Sequence, residues 1–239
     1  MRWVALAVVL CACSERPQVP ILTHHSISRG ADEFAVSPER FEAELDALAR
    51  AGFRTVSFHD WLDGKPLPAH PVILTFDDGY EDAYSTALPA LRARGMTATF
   101  FLVPSWIGAD AAHRVVREED GMTFRHLVWP EVAAMSAAGM EIGSHGEGHL
   151  RLPDLPDEKV HEEAQKSRLE IEAHLNRPVE VFAYPYNASR GRLRSAVREA
   201  GYRAAVSGSV HGGADRYELF RRGVYARTTP DEVLREIAR

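Results

Sequence analysis

The most chemically loaded stretch of the chain is Asp77-Asp78-Gly79, which follows the apolar run Val72-Ile73-Leu74-Thr75-Phe76 without a break. Two adjacent carboxylates repel each other, and keeping both ionised is costly unless a cation is near. A metal ion resolves the conflict: one Asp binds it while its neighbour stays free as a base. Gly79 permits a turn that a side chain would hinder. Successive side chains on an extended segment point to opposite sides. One of the pair is therefore expected to face the other ligands directly, and its neighbour to reach only the ion's water.

A second cluster is Gly143-Ser144-His145-Gly146-Glu147-Gly148-His149. Its glycines argue against a helix and for a loop near a ligand. If that loop folds back, the two imidazoles, four residues apart, converge on one metal. Two His plus one Asp is a common ligand set for a catalytic divalent ion with an open position for water. The only cysteines, Cys11 and Cys13, sit at the extreme N-terminus. The rest of the chain therefore has no thiolate ligand, Cys nucleophile or internal disulfide. A third cluster, Phe182-Ala183-Tyr184-Pro185-Tyr186-Asn187, places a stiff Pro where it can hold a backbone N–H and two Tyr rings. Such a turn suits oxyanion donation and stacking on a sugar face.

These clusters need strands to present them. Pro20–His25, Val72–Phe76, Thr97–Val103, Glu141–Gly143, Val179–Ala183 and Ala204–Val206 read as strands. Between them the spacing predicts helices. Ser37 caps one that begins at Pro38, shows Phe41, Leu45 and Leu48 on one face and ends at Gly52. Others cover 83–94, 130–138, 158–175 and 190–200, and a last one starts at Thr229-Pro230. Strand–helix alternation implies parallel strands covered by helices, with functional residues at the strands' carboxyl ends.

The 239 residues are 45% hydrophobic and 26% charged, which excludes disorder, collagen and coiled coil. No apolar run reaches the ~18–20 residues that span a bilayer. A net charge of −6 argues against a nucleic-acid partner. Met1-Arg2-Trp3 followed by apolar Val4–Leu10 fits the start of a signal peptide. Leu10-Cys11-Ala12-Cys13-Ser14 then resembles a bacterial lipoprotein signal. The expected organisation is a signal over 1–12, a lipid-bearing Cys13 with a short linker over 13–18, and one α/β domain over 19–239. The protein is thus expected to be exported and held at the cell envelope by its lipid alone.

Taken in order, the clusters resemble the polysaccharide deacetylase (NodB homology) family. Thr75-Phe76-Asp77-Asp78-Gly79 matches its first motif, and His145 and His149 match the His pair of its second, with Gly146 in place of Ser or Thr. Ile21-Leu22-Thr23-His24-His25-Ser26-Ile27 is similar to its opening strand, with His25 at the recurrent His. The resemblance implies a single deformed (β/α) barrel of seven or eight parallel strands. It also implies metal-dependent removal of N-acetyl, sometimes O-acetyl, groups from an acetylated polysaccharide. Asp77 is then the general base, and Asp78, His145 and His149 hold one divalent ion, Zn²⁺ first, with Co²⁺, Ni²⁺ or Mn²⁺ as alternatives. Pro185, Tyr186, Tyr184 and His25 become substrate-binding residues, with the Tyr186 N–H in the oxyanion hole. Ala183 stands where the third motif carries an Arg that would hold the base. The family's late Leu-x-His motif has no match, leaving His211, the only His after 174, as candidate acid. Phe-Ala-Tyr-Pro-Tyr is similar to the branch acting on poly-β-1,6-N-acetylglucosamine.

Two other readings compete. A glycan-binding lipoprotein on the same barrel would not need the base. A phosphoryl-transfer enzyme with Asp77 as nucleophile would leave the His pair unexplained and lacks a phosphate-cradling Gly-rich loop.

Overall fold

Along the buried strands, side chains alternate between two apolar clusters, and this alternation builds the molecule. Ile21, Ile73, Phe101, Val181, Ala183, Ala204 and Val206 pack together inside a ring of strands. Their neighbours Leu22, Leu74, Phe76, Phe100, Phe182 and Ala205 face outward against helices. The computed structural model describes residues 18–208 and 215–238. Cys11, Cys13 and His211, and the signal and anchor expected over 1–17, lie outside the described residues.

In chain order the elements are β1 (Ile21–His24), α1 (Pro38–Arg50), β2 (Arg54–Thr55), α2 (Phe58–Leu62), β3 (Pro71–Phe76), α3 (Leu88–Ala93) and β4 (Thr99–Leu102). A hairpin of β5 (Val116–Glu119) and β6 (Met122–Arg125) precedes α4 (Trp129–Ala137) and β7 (Glu141–Ser144). Then come α5 (Asp157–Leu175), β8 (Val181–Ala183), α6 (Gly191–Glu199), β9 (Ala204–Ser207), β10 (Leu219–Phe220), β11 (Arg222–Gly223) and α7 (Pro230–Ile237).

Eight strands run in the order β10-β9-β8-β7-β4-β3-β1-β11, with β2 paired to the start of β3. Every pairing in this sheet is parallel. The result is a nearly closed barrel whose two edges, β10 and β11, are separated in the chain by Arg221 alone. The expected deformed (β/α) barrel is what forms. Its interior is filled rather than hollow: a Cβ on Gly143 would come within 2.5 Å of the Phe101 ring.

The helices form for the expected reasons. The Ser37 side chain accepts from Arg40 N, Pro38 opens α1, and Phe41, Leu45 and Leu48 are buried. The single helix expected over 83–94 is instead a π turn at 83–87 followed by α3. Pro89 cannot donate to the carbonyl four residues back, so a regular α register is broken there. Strands β2, β10 and β11 and the hairpin were not foreseen. Two-residue strands carry no readable period, and β5 and β6 are largely exposed on both faces. Among the described residues, no helix is long and apolar enough to cross a membrane.

Candidate active site

The carboxyl ends of β1, β3, β7 and β8 open into one cleft of about 1070 Å³, whose lining includes His25, Asp77, Asp78, His145, His149 and Tyr186. The strand pattern puts Asp77 on the inner face after Ile73 and Thr75. Its N–H donates to the His24 carbonyl at 3.0 Å, continuing the β1–β3 ladder.

Asp78 then leaves the strand. Its φ is 71°, and that of Gly79 is 66°. A Cβ on Gly79 would lie 3.1 Å from Ile107 and 3.2 Å from Leu102, so the turn needs glycine on both counts. The left-handed Asp78 overturns the opposite-sides expectation. Both carboxylates face the same imidazole: His145 Nε2 lies 3.7 Å from Asp77 Oδ2 and 3.5 Å from Asp78 Oδ1. The alternation argument holds only for extended backbone, and the chain is not extended at Asp78. His126 Nδ1 donates to the Asp78 carbonyl at 3.1 Å and steadies the turn.

The His loop does fold back. His145 and His149 rings sit 4.9 Å apart, and His149 Nε2 is 3.4 Å from Asp78 Oδ1. His145 Nδ1 donates to the Ala183 carbonyl at 2.8 Å, which leaves its Nε2 lone pair for a ligand. Burial, and then neighbouring His145, bring His149 down to about 4, so it is neutral at ordinary pH. One ligand atom from each of Asp78, His145 and His149 lies within 4.8 Å of the others. Asp78 Oδ1 is buried without a hydrogen-bond partner, a costly state that a cation relieves. The residues present therefore fit a divalent metal ion.

Asp77 has a different partner. Arg221 Nη1 and Nη2 donate to its two oxygens at 2.7 and 2.8 Å, and Nη2 also reaches Asn187 Oδ1 at 3.2 Å. Both members of the pair are buried, with side chains 2–3% exposed. Burial pushes the Asp77 carboxyl up, but Arg221 and then His145 hold it well below the usual carboxylate range. Ala183 lies in the apolar interior, and the guanidinium comes instead from the barrel seam between β10 and β11. The sequence reading missed Arg221. Its one signal is strand alternation across Arg221-Arg222, which buries the first and leaves the second at the margin.

The other expected site residues separate. His25 lines the cleft; burial lowers its pKa, partly offset by Asp78 and Asp77, and its buried Nδ1 has no partner. Tyr186 is 57% exposed and rests against the His149 ring at 4.7 Å. Its φ is 57°, outside helical geometry, in a turn that the Asn187 N–H closes on the Tyr184 carbonyl at 3.0 Å. Pro185 is buried behind it. Tyr184 is a core residue with no exposed ring: its hydroxyl donates to the Tyr217 carbonyl and its ring packs edge-on to Phe182. Trp106, against His149 and beneath the Arg117 guanidinium, was not singled out from sequence.

Residues 64–205 match the family model described as polysaccharide deacetylase. The chain is 30% identical over 219 residues to YxkH of Bacillus subtilis, a protein named as a polysaccharide deacetylase, covering 89% of this chain and 71% of that protein. It is 28% identical over 135 residues to the poly-β-1,6-N-acetyl-D-glucosamine N-deacetylase of Escherichia coli K12, covering 53% of this chain and 20% of that one. In fold it is similar to Streptococcus pyogenes deacetylase PplD, with a TM-score of 0.80 at 20% identity over 93% of this chain and 99% of that one. IcaB from Ammonifex degensii gives a TM-score of 0.75 at 24% identity over 92% and 96%.

Proposed function

We propose, because this chain belongs to the polysaccharide deacetylase family, that it is a hydrolase removing N-acetyl groups from a cell-envelope or extracellular glycan. The observation that carries this reading is the pairing of two differently held carboxylates in one cleft. Asp78, whose buried Oδ1 accepts no hydrogen bond, faces the His145 and His149 imidazoles, and Asp77 is clamped by Arg221.

Asp78, His145 and His149 would hold one divalent ion, with Zn²⁺ the first choice for an N₂O set. Such an ion supplies Lewis-acid polarisation of the acetyl carbonyl and makes the attacking water more acidic. Asp77 accepts the proton of that water. Arg221 keeps its carboxylate ionised and both oxygens in place, which is orientation obtained before substrate arrives. In this reading the Tyr186 N–H donates to the carbonyl oxygen as charge builds on it. His25, the cleft histidine outside the ligand set, returns a proton to the departing amine in this reading. Exposed Tyr186 offers a ring for a sugar face. Leu10-Cys11-Ala12-Cys13 supports export and anchoring through a lipid on Cys13.

The test is acetate release from poly-N-acetylglucosamine, peptidoglycan, chitin oligomers and acetyl-xylan, using chelated and metal-restored protein. Release from an N-acetylated glycan that vanishes on chelation and returns with metal is expected. No release from any of them with metal bound overturns the reading.

A further inference from the structure

The loop joining His145 to His149 does not hold itself. Two of its residues are left-handed, Gly146 with φ 80° and His149 with φ 54°. Gly146 N–H turns back to Ser144 Oγ at 3.3 Å. The next two N–H groups, of Glu147 and Gly148, both donate to one oxygen of Glu163, at 3.1 and 2.9 Å. Successive N–H groups aimed at one anion form a concave nest, and bonds to a carboxylate are stronger than neutral ones.

Glu163 belongs to α5, which is itself fixed to the end of β7. One turn further on, buried Ser167 Oγ bonds Ser144 Oγ at 2.6 Å. The same helix face thus grips the strand end and the loop that leaves it. His145 has its own anchors, its N–H on the Leu102 carbonyl and Nδ1 on that of Ala183. The His149 ring is located by packing against Trp106, His145 and Tyr186, and by the loop that delivers it.

We infer that Glu163 is a positioning residue: its carboxylate clamps the Glu147 and Gly148 N–H groups and so sets where His149 meets the metal. The inference rests on the metal reading given above. Both bonds end on one oxygen, so an amide oxygen can replace it, whereas a methyl group cannot.

Chelator-competition titration with Zn²⁺ tests this on wild type, Glu163→Gln and Glu163→Ala, with thermal melts of the three metal-free proteins. Outer contacts of this kind change metal affinity by about 10–100-fold. Glu163→Ala should fall within that range and recover turnover at saturating Zn²⁺, while Glu163→Gln stays within about threefold of wild type by the same reasoning. Wild-type affinity in Glu163→Ala overturns the inference and leaves the metal reading intact. An equal loss in Glu163→Gln also overturns it, since the carboxylate's charge rather than its reach would then matter. Failure of the wild type to bind metal overturns both.

Discussion

Replacing Arg221 by Met tests the seam directly. The variant keeps a long side chain but removes the guanidinium that clamps Asp77, whose oxygens accept from it at 2.7 and 2.8 Å. Both side chains are nearly inaccessible, so the carboxylate loses its partner in a largely desolvated setting. Breaking one side of a buried pair costs about 3–5 kcal/mol, which for a domain of this size lowers Tm by about 10 °C. The sign with pH is specific. In the wild type Asp77 is depressed, so its contribution is present above the unfolded carboxylate pKa of about 3.9 and is lost only as pH falls through the lower folded value. Without Arg221, burial dominates and raises Asp77. The group then opposes folding at neutral pH and stops doing so as it takes up a proton on acidification. The stability gap between wild type and Arg221→Met should therefore be widest at pH 7 and shrink towards pH 4. Urea unfolding of metal-free protein across that range measures it, and kcat against pH on metal-loaded protein should show the acidic limb moved upward. A gap that does not vary with pH, together with an unmoved limb, refutes the reasoning.

Asp78→Ala, His145→Ala and His149→Ala should each lose most bound metal and all turnover while keeping the fold, because strand-end ligands contribute little core; metal analysis and circular dichroism check this. Asp77→Asn should keep its metal yet lose about 10²–10⁴-fold in kcat, with the acidic limb gone; loss of metal would make Asp77 a ligand. His25→Gln should lower kcat at unchanged metal content while His211→Gln does not, which steady-state kinetics on both variants decides. Cys13→Ala should release the protein from membranes and Cys11→Ala should not, as fractionation with lipid labelling reports.

The apolar strands and capped helices were legible before any tertiary structure, whereas the π turn at 83–87 and the β5–β6 hairpin were not. The parallel α/β order followed from apolar runs alternating with capped helices such as the one Ser37 opens. The Asp-Asp-Gly and His-pair clusters pointed to a site that could hold a metal, since a cation offsets adjacent like charges, and Asp78, His145 and His149 do come together. Three things became visible only in the folded, nearly closed barrel. Asp78 turns left-handed, which brings both carboxylates to His145 where strand geometry alone would part them. Tyr184, one residue from the exposed turn, falls on the buried side of β8's continuation. Arg221 meets Asp77 across 144 residues of sequence. That contact forms only when the last two short strands bring the sheet's edges together, and two-residue strands leave no periodic trace. Local sequence determines which groups have chemistry to offer, through propensity and charge. Which of them share a buried space is settled by closure of the sheet, where desolvation makes an unpartnered carboxylate untenable and a distant guanidinium its remedy.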